Sequence, residues 1–221
     1  MCSLAVAFAA TSWRSRYTEQ PALQASVCRL RCSTVTKAGL LPTGFSARRA
    51  RLGDLGYITT SVVSEGMNPL GIHIDRFLVV EETGSQGEKS RVVAFGQMRP
   101  ISQKDLELAS IYVAPEFRRR GIASAIVALL LERERAKKTA TMDHHHRRIF
   151  CLTVGSEKLY QKHGFVLYPL ENNFVWNRDI PCALRLEILL GRVVSRIVKP
   201  GTPLALLCRT LEGQQQKGIS C

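Results

Sequence analysis

Apolar positions along the chain change period several times, and each change marks an element. Leu55, Ile58 and Val62 recur at helical spacing behind Asp54, which predicts a helix capped by that aspartate and ended by Asn68-Pro69. Residues 45–51 before it read as a first strand. The β-rich runs Phe77–Glu82 and 91–98 flank a polar, glycine-bearing turn at 83–90, so they predict an antiparallel hairpin. Residues 106–113 form a third strand, closed by Ala114-Pro115.

The period then lengthens. Ile122, Ile126, Leu129 and Leu130 share one face of a helix over 119–138, and the charged stretch 132–138 marks where burial stops. Beyond a polar loop, 149–154 predicts a strand and 156–163 a short helix. Gly164 suits that helix's end and leads into a strand at 165–168. Residues 181–198 are apolar at helical spacing, and 203–208 form a last strand. Strands and helices alternating after an early hairpin predict an α/β domain on a mixed sheet over 44–211. A leader, 1–43, and a tail, 212–221, fall outside it.

Composition refines this picture. A chain of 221 residues at 45% hydrophobic buries one good core. Its longest mostly apolar run, 122–131, is half of the roughly 20 residues that span a bilayer, so no membrane segment is expected. The net charge of +13 is uneven: the first 50 residues carry Arg14, Arg16, Arg29, Arg31, Lys37, Arg48 and Arg49 against Glu19 alone. Basic, rich in Ser, Thr and Ala, and poor in acids is the composition of an organelle transit peptide. It points to a chloroplast, with a mitochondrion as the alternative and a plain basic tail as the bland one. No nucleic-acid-binding module accompanies the charge. Seven Cys without CxxC spacing, and no N-x-[ST] sequon, fit a reduced compartment better than secretion.

The candidate chemistry lies in 111–124: a strand, the Ala114-Pro115 stop, then Glu116-Phe117-Arg118-Arg119-Arg120-Gly121-Ile122-Ala123 opening a helix. Backbone N–H groups at a helix start lack intrahelical acceptors, and the helix dipole favours anions there. Three arginines add donors suited to phosphate oxygens, while Gly121 and Ala123 let a diphosphate approach the backbone. A solvated helix start is the ordinary alternative. Neither G-x-x-x-x-G-K-[ST] nor G-x-G-x-x-G occurs. The loose imitation at 84–90 has the wrong glycine spacing and sits in a hairpin turn.

Here the sequence resembles the GCN5-related N-acetyltransferase (GNAT) superfamily. Arg118, Gly121 and Ala123 match its Arg/Gln-x-x-Gly-x-Gly/Ala motif, and Ile111-Tyr112-Val113 with Pro115 match the usual lead-in. Leu159-Tyr160-Gln161-Lys162-His163-Gly164-Phe165 matches a second motif about 40 residues on. The resemblance covers 44–168 well and the rest loosely. Met67-Asn68-Pro69-Leu70 and the helical C-terminal insertion are similar to the plant and cyanobacterial branch.

The resemblance implies a GNAT fold: a mixed central sheet with a splay between two parallel strands and helices on both faces. It implies acetyl-CoA as co-substrate, with the pantetheine between the strand ending at Ile111, Tyr112 and Val113 and the strand 149–154. Arg118, Arg119, Arg120, Gly121, Ile122, Ala123 and Ser124 would hold the pyrophosphate. The amine acceptor would attack the thioester directly within a ternary complex.

Tyr160 falls where the family keeps a general acid, and a phenol remains protonated at neutral pH to serve as one. Packing alone is the competing reading. Glu107 precedes the apolar part of the cofactor strand, where the family often keeps an acid that handles the substrate ammonium. An ordinary salt bridge competes with that role. Alternation sets Glu107, Ala109 and Ile111 on one face, and Leu108, Ser110 and Tyr112 on the other. Thr153 stands where the family commonly has a pantetheine-binding Asn, and its reach is shorter. Adjacent His144, His145 and His146 cannot all face one ion, so no metal is expected. Cys151, within an apolar strand, reads as a buried structural thiol rather than a nucleophile. His73 and His163 carry no supporting pattern. Three functions follow: acetylation of a protein lysine or N-terminal amine, acetylation of a small amine, or a non-catalytic acyl-CoA-binding protein.

Overall fold

The computed structural model describes residues 40–83, 90–141, 147–170, 174–198 and 200–211, all within one compact unit. Residues 1–39 of the leader, the hairpin tip 84–89, the histidine run 144–146 and the tail beyond Leu211 lie outside the described residues.

Seven strands form one sheet: β1 (Phe45–Arg49), β2 (Phe77–Glu82), β3 (Arg91–Pro100), β4 (Asp105–Val113), β5 (Arg147–Val154), β6 (Val166–Tyr168) and β7 (Leu204–Leu211). Their spatial order is β1-β2-β3-β4-β5-β7-β6. The hairpin β2–β3 is antiparallel as expected, and β5 pairs along its whole length with β7. Helices α1 (Leu55–Ser64), α2 (Ile122–Thr141), α3 (Glu157–Gln161) and α4 (Cys182–Val198) cover both faces. On one face α2 and α3 bury Ile122, Ile126 and Leu130 against Leu106, Leu108, Ile149 and Cys151. On the other, α1 packs Ile58 and Val62 on Phe77, Val79 and Phe95. There α4 packs Leu184 and Ile188 on Phe150 and Leu206.

Among the described strands, β4 and β5 are the parallel pair, and they pair only at one end. Asp105, Leu106 and Glu107 stand opposite Arg148, Ile149 and Phe150. Arg148 closes that end by donating to both carboxylate oxygens of Asp105, at 2.8 and 3.1 Å. Past Glu107 the strands part, which is the splay the family resemblance implies.

Three local expectations are corrected. Strict alternation along β4 fails, because β3 and β4 shift register between Phe95 and Gln97 and Ser110 takes φ 53°. The extra residue is a β-bulge. It turns Ile111 onto the α2 face with Leu108 and sends Tyr112 to stack on Phe95 over α1. Asp54 makes no side-chain bond to the helix it precedes; its carboxylate accepts from the Arg51 N–H at 2.7 Å and pairs with Arg48. The first helix also ends before Asn68-Pro69. Gly66, at φ 67°, reverses the chain, with Gly66 N–H donating to Val63 O and Met67 N–H to Val62 O.

Candidate functional site

The parting of β4 from β5 opens a cavity of about 1150 Å³. One end is built by the start of α2. Arg119 and Gly121 both adopt positive φ, 62° and 82°, which swings the chain from the Pro115–Phe117 turn into the helix. The first intrahelical bond runs from Ala125 N–H to Gly121 O. The N–H groups of Gly121, Ile122, Ala123 and Ser124 therefore have no acceptor within the helix. All four residues line the cavity. A Cβ on Gly121 would meet nothing within 4 Å, so its backbone is open to an approaching group. Dipole, N–H groups and the nearby cations Arg118, Arg119 and Lys162 make this end an anion cradle.

The arginine triplet divides its work. Arg119 lines the cavity. Arg118 also lines it, but its Nε donates to Val113 O at 2.9 Å and its Nη2 to Glu65 at 2.5 Å. Arg120 is not among the lining residues: its guanidinium lies 5.1 Å over the Phe117 ring and donates to Glu116 O. The sequence reading gave all three side chains to phosphate. Phe117, buried in the core, instead draws Arg120 away through its ring face.

The middle of the cavity is walled by Ile111, Tyr112 and Val113 of β4, Thr153 of β5 and Tyr160 of α3. Tyr160 is 6% exposed, and its hydroxyl lies in hydrogen-bonding reach of Cys151 and Thr153. Burial, then Cys151, pushes its phenol well above the ordinary value, so it is protonated at neutral pH. Burial likewise pushes the Cys151 thiol up, which removes it as a thiolate nucleophile. Thr153 thus lies beside Tyr160 as well as facing the cavity.

Glu107 stands at the other end, six residues or about 20 Å of strand before Val113. It is not alone there. Arg99 of β3 reaches Glu107 Oε2 through Nε at 2.8 Å and Nη2 at 2.6 Å, and Nη2 also donates to Glu187 of α4. Burial first, and Glu187 second, raise Glu107 to about 7 against the opposing pull of Arg99. Glu107 thus makes the salt bridge that the sequence offered as the alternative to a base.

Sequence reasoning missed Arg99, Glu187 and Gln97. Gln97 is buried, donates to Gly71 O at 3.1 Å and Ser110 Oγ at 3.3 Å, and lines the same end. A charged residue ending an apolar strand, and a lone acid within a helix otherwise apolar and basic, were the available signals. His163 was also passed over; its Nε2 and Ser124 Oγ share a 2.8 Å hydrogen bond beside the anion cradle.

Residues 73–167 match the family model described as an acetyltransferase (GNAT) domain. Rv2747 from Mycobacterium tuberculosis, solved with CoA, is 22% identical and superposes with a TM-score of 0.54 over 76% of this chain and 99% of that one. N-acetylglutamate synthase from Neisseria gonorrhoeae, solved with CoA and L-arginine, is 16% identical with a TM-score of 0.54 over 78% of this chain. The same enzyme with CoA and N-acetyl-glutamate gives 17% and 0.52. The chain spans about a third of the Neisseria enzyme's length, 34% and 35% in the two structures. No curated protein matches the chain by sequence. Residues 73–167, which hold the parted β4–β5 pair and the cradle at the start of α2, are thus similar to an acetyltransferase (GNAT) domain, and the fold is shared with these solved structures.

Proposed function

We propose that this chain is an N-acetyltransferase that moves the acetyl group of acetyl-CoA to a primary amine by direct attack in a ternary complex. One observation carries the reading: the α2 start with its free N–H groups, Tyr160 and Glu107 all line one cavity opened by the parting of β4 from β5. Fold neighbours solved with CoA support the choice of donor.

In this reading Gly121, Ile122, Ala123 and Ser124, with Arg118 and Arg119, hold the pyrophosphate. Backbone of Ile111, Tyr112 and Val113, together with Thr153, lies along the pantetheine. Arg120 steadies the cradle through Phe117. Glu107 takes the proton from the acceptor ammonium, a task for which a carboxyl titrating near neutrality is suited. The freed nitrogen lone pair forms the C–N bond while the carbonyl π pair moves to oxygen. When that pair returns, the C–S bond breaks as Tyr160 gives its proton to the departing thiolate, and the second proton shed by the nitrogen as it becomes an amide restores the Tyr160 hydroxyl.

Purified protein is mixed with acetyl-CoA and a panel of amines and peptides, and CoA release and acetylated product are measured. Stoichiometric release with product supports the reading. Acetyl-CoA binding without turnover on any acceptor would favour a non-catalytic acyl-CoA-binding protein.

We further propose that residues 1–43 address the protein to a chloroplast, on the strength of their basic, acid-poor composition. Residues 1–50 fused to a fluorescent reporter test this; a diffuse cytosolic signal would defeat it, and a mitochondrial one would select the alternative.

A further inference from the structure

The acceptor end of the cavity has a charge pattern and a wall that the reaction itself does not require. Two carboxylates, Glu107 and Glu187, share the single guanidinium of Arg99. All three side chains are nearly buried, with exposures of 4%, 17% and 11%. Their summed charge is negative when both acids are ionised. The other basic residues lining the cavity, Arg118, Arg119 and Lys162, belong to the anion cradle at the far end.

Helix α4 brings Glu187 to this place and continues as an apolar surface. Leu190 and Val194 follow at the i+3 and i+7 positions, line the same cavity, and are 47% and 38% exposed. Glu187 to Val194 is about 10 Å of helix, the length of an amine stem several carbons long. Gly191 between them lets α4 sit close on β7, where a Cβ would come 3.0 Å from Leu204. Met67 and Pro69, in the loop after α1, line the cavity too and supply a further apolar surface.

Resting on the acetyltransferase reading above, we infer that α4 is the acceptor wall and selects a cationic amine on an apolar stem with no carboxylate beside the reacting nitrogen. The ammonium supplies the positive charge that Glu107 and Glu187 lack, and its N–H groups meet their oxygens. The stem lies along Leu190 and Val194. An α-carboxylate would be set against Glu107 and Glu187, with Arg99, the one cation at this end among the described residues, already held by both; like charges placed together at a desolvated contact are strongly disfavoured. Lysyl side chains in a peptide and arylalkylamines fit this description. Free α-amino acids do not.

The test compares matched acceptors that differ only in the carboxylate beside the nitrogen: phenethylamine against phenylalanine, and isoamylamine against leucine. The proposal expects the member without the carboxylate to have the higher kcat/KM by at least about tenfold in each pair. Glu187→Gln should raise the KM of the amines by about tenfold or more and leave the dissociation constant of acetyl-CoA unchanged. Leu190→Ser, at a half-exposed position, should weaken phenethylamine while sparing methylamine, which has no stem to place. Equal or better turnover of phenylalanine and leucine would overturn the proposal and leave the acetyltransferase reading standing. So would an unchanged amine KM in both variants. Failure to bind acetyl-CoA at all would remove the acetyltransferase reading, and this one with it.

Discussion

Arg99 occupies the space that a side chain on Gly71 would need: a Cβ there would stand 1.6 Å from Nη1 and 2.6 Å from Cζ. Gly71 therefore sets where the guanidinium rests, and through it the pairing with Glu107 and Glu187. The clash is with the end of a flexible side chain, so Gly71→Ala should fold and move Arg99 aside. Arg99 is the group that pulls Glu107 down, while burial and Glu187 push it up. Without that pull the carboxyl titrates higher. The acidic limb of the kcat/KM profile should move to higher pH in Gly71→Ala, with acetyl-CoA affinity unchanged.

Glu107 itself carries the second prediction. In the proposed reaction its carboxylate is the active form, and burial with Glu187 pushes it up to about 7. Below that pH the group is protonated and cannot take the ammonium's proton. Rate should therefore fall about tenfold per pH unit on the acidic side. Glu107→Gln removes the titrating group: kcat falls and the limb near 7 disappears. A limb that persisted in the variant would move the base elsewhere.

Tyr160→Phe deletes one oxygen from a well-packed site. The ring keeps its edge contact with Phe165, 6.0 Å between centroids, so the fold should hold. Loss of the proton donor should lower kcat by about tenfold or more, while the acetyl-CoA dissociation constant measured by calorimetry stays within about twofold. A poorer leaving thiol should suffer more than a better one. That contrast separates a proton donor from a packing residue.

The bulge in β4 yields a stability prediction. Gly96 faces the extra residue, and a Cβ there would lie 2.5 Å from Ile111 Cδ1 and 2.9 Å from Ile126 Cγ2. Both neighbours pack in the core under α2. Gly96→Ala should cost about 1–3 kcal/mol by overpacking. It should lower the urea midpoint without changing the slope. Adding Ile111→Val, which removes the atom met first, should recover part of the loss.

That bulge also marks the limit of what the sequence discloses. Period and punctuation give the order of elements, because burial of one helix face or one strand face repeats along the chain. The anion cradle is legible for the same reason: strand, stop, glycine and helix are contiguous. Ser110 carries no such mark, since its positive φ accompanies the register shift between β3 and β4, which neither strand's own apolar pattern encodes. The Glu107–Arg99–Glu187 cluster draws on three separate elements, and only the fold reveals that one guanidinium serves two acids. Arg120 is a further case. Three adjacent arginines look equivalent in sequence, and only the ring of Phe117 separates the third from the cavity.

The remaining prediction concerns Arg118, which has two partners and is expected to gain a third. Its Nε bond to Val113 O fixes the side chain at the end of β4, while its Nη2 pairs with Glu65. Arg118 and Glu65 are 46% and 39% exposed. A pair so open to water contributes about 0–1 kcal/mol, so its loss should barely move the melting temperature. A pyrophosphate at the cradle would compete with Glu65 for the same guanidinium. Glu65→Gln removes the competitor and leaves the bond to Val113. Acetyl-CoA should then bind severalfold tighter at low salt, and that advantage should shrink as salt screens the Arg118–phosphate attraction. Arg118→Ala should weaken binding about tenfold in either background. Weaker binding in Glu65→Gln would instead make Glu65 the residue that aims Arg118 at the phosphate, and titrating both variants at two salt concentrations distinguishes the cases.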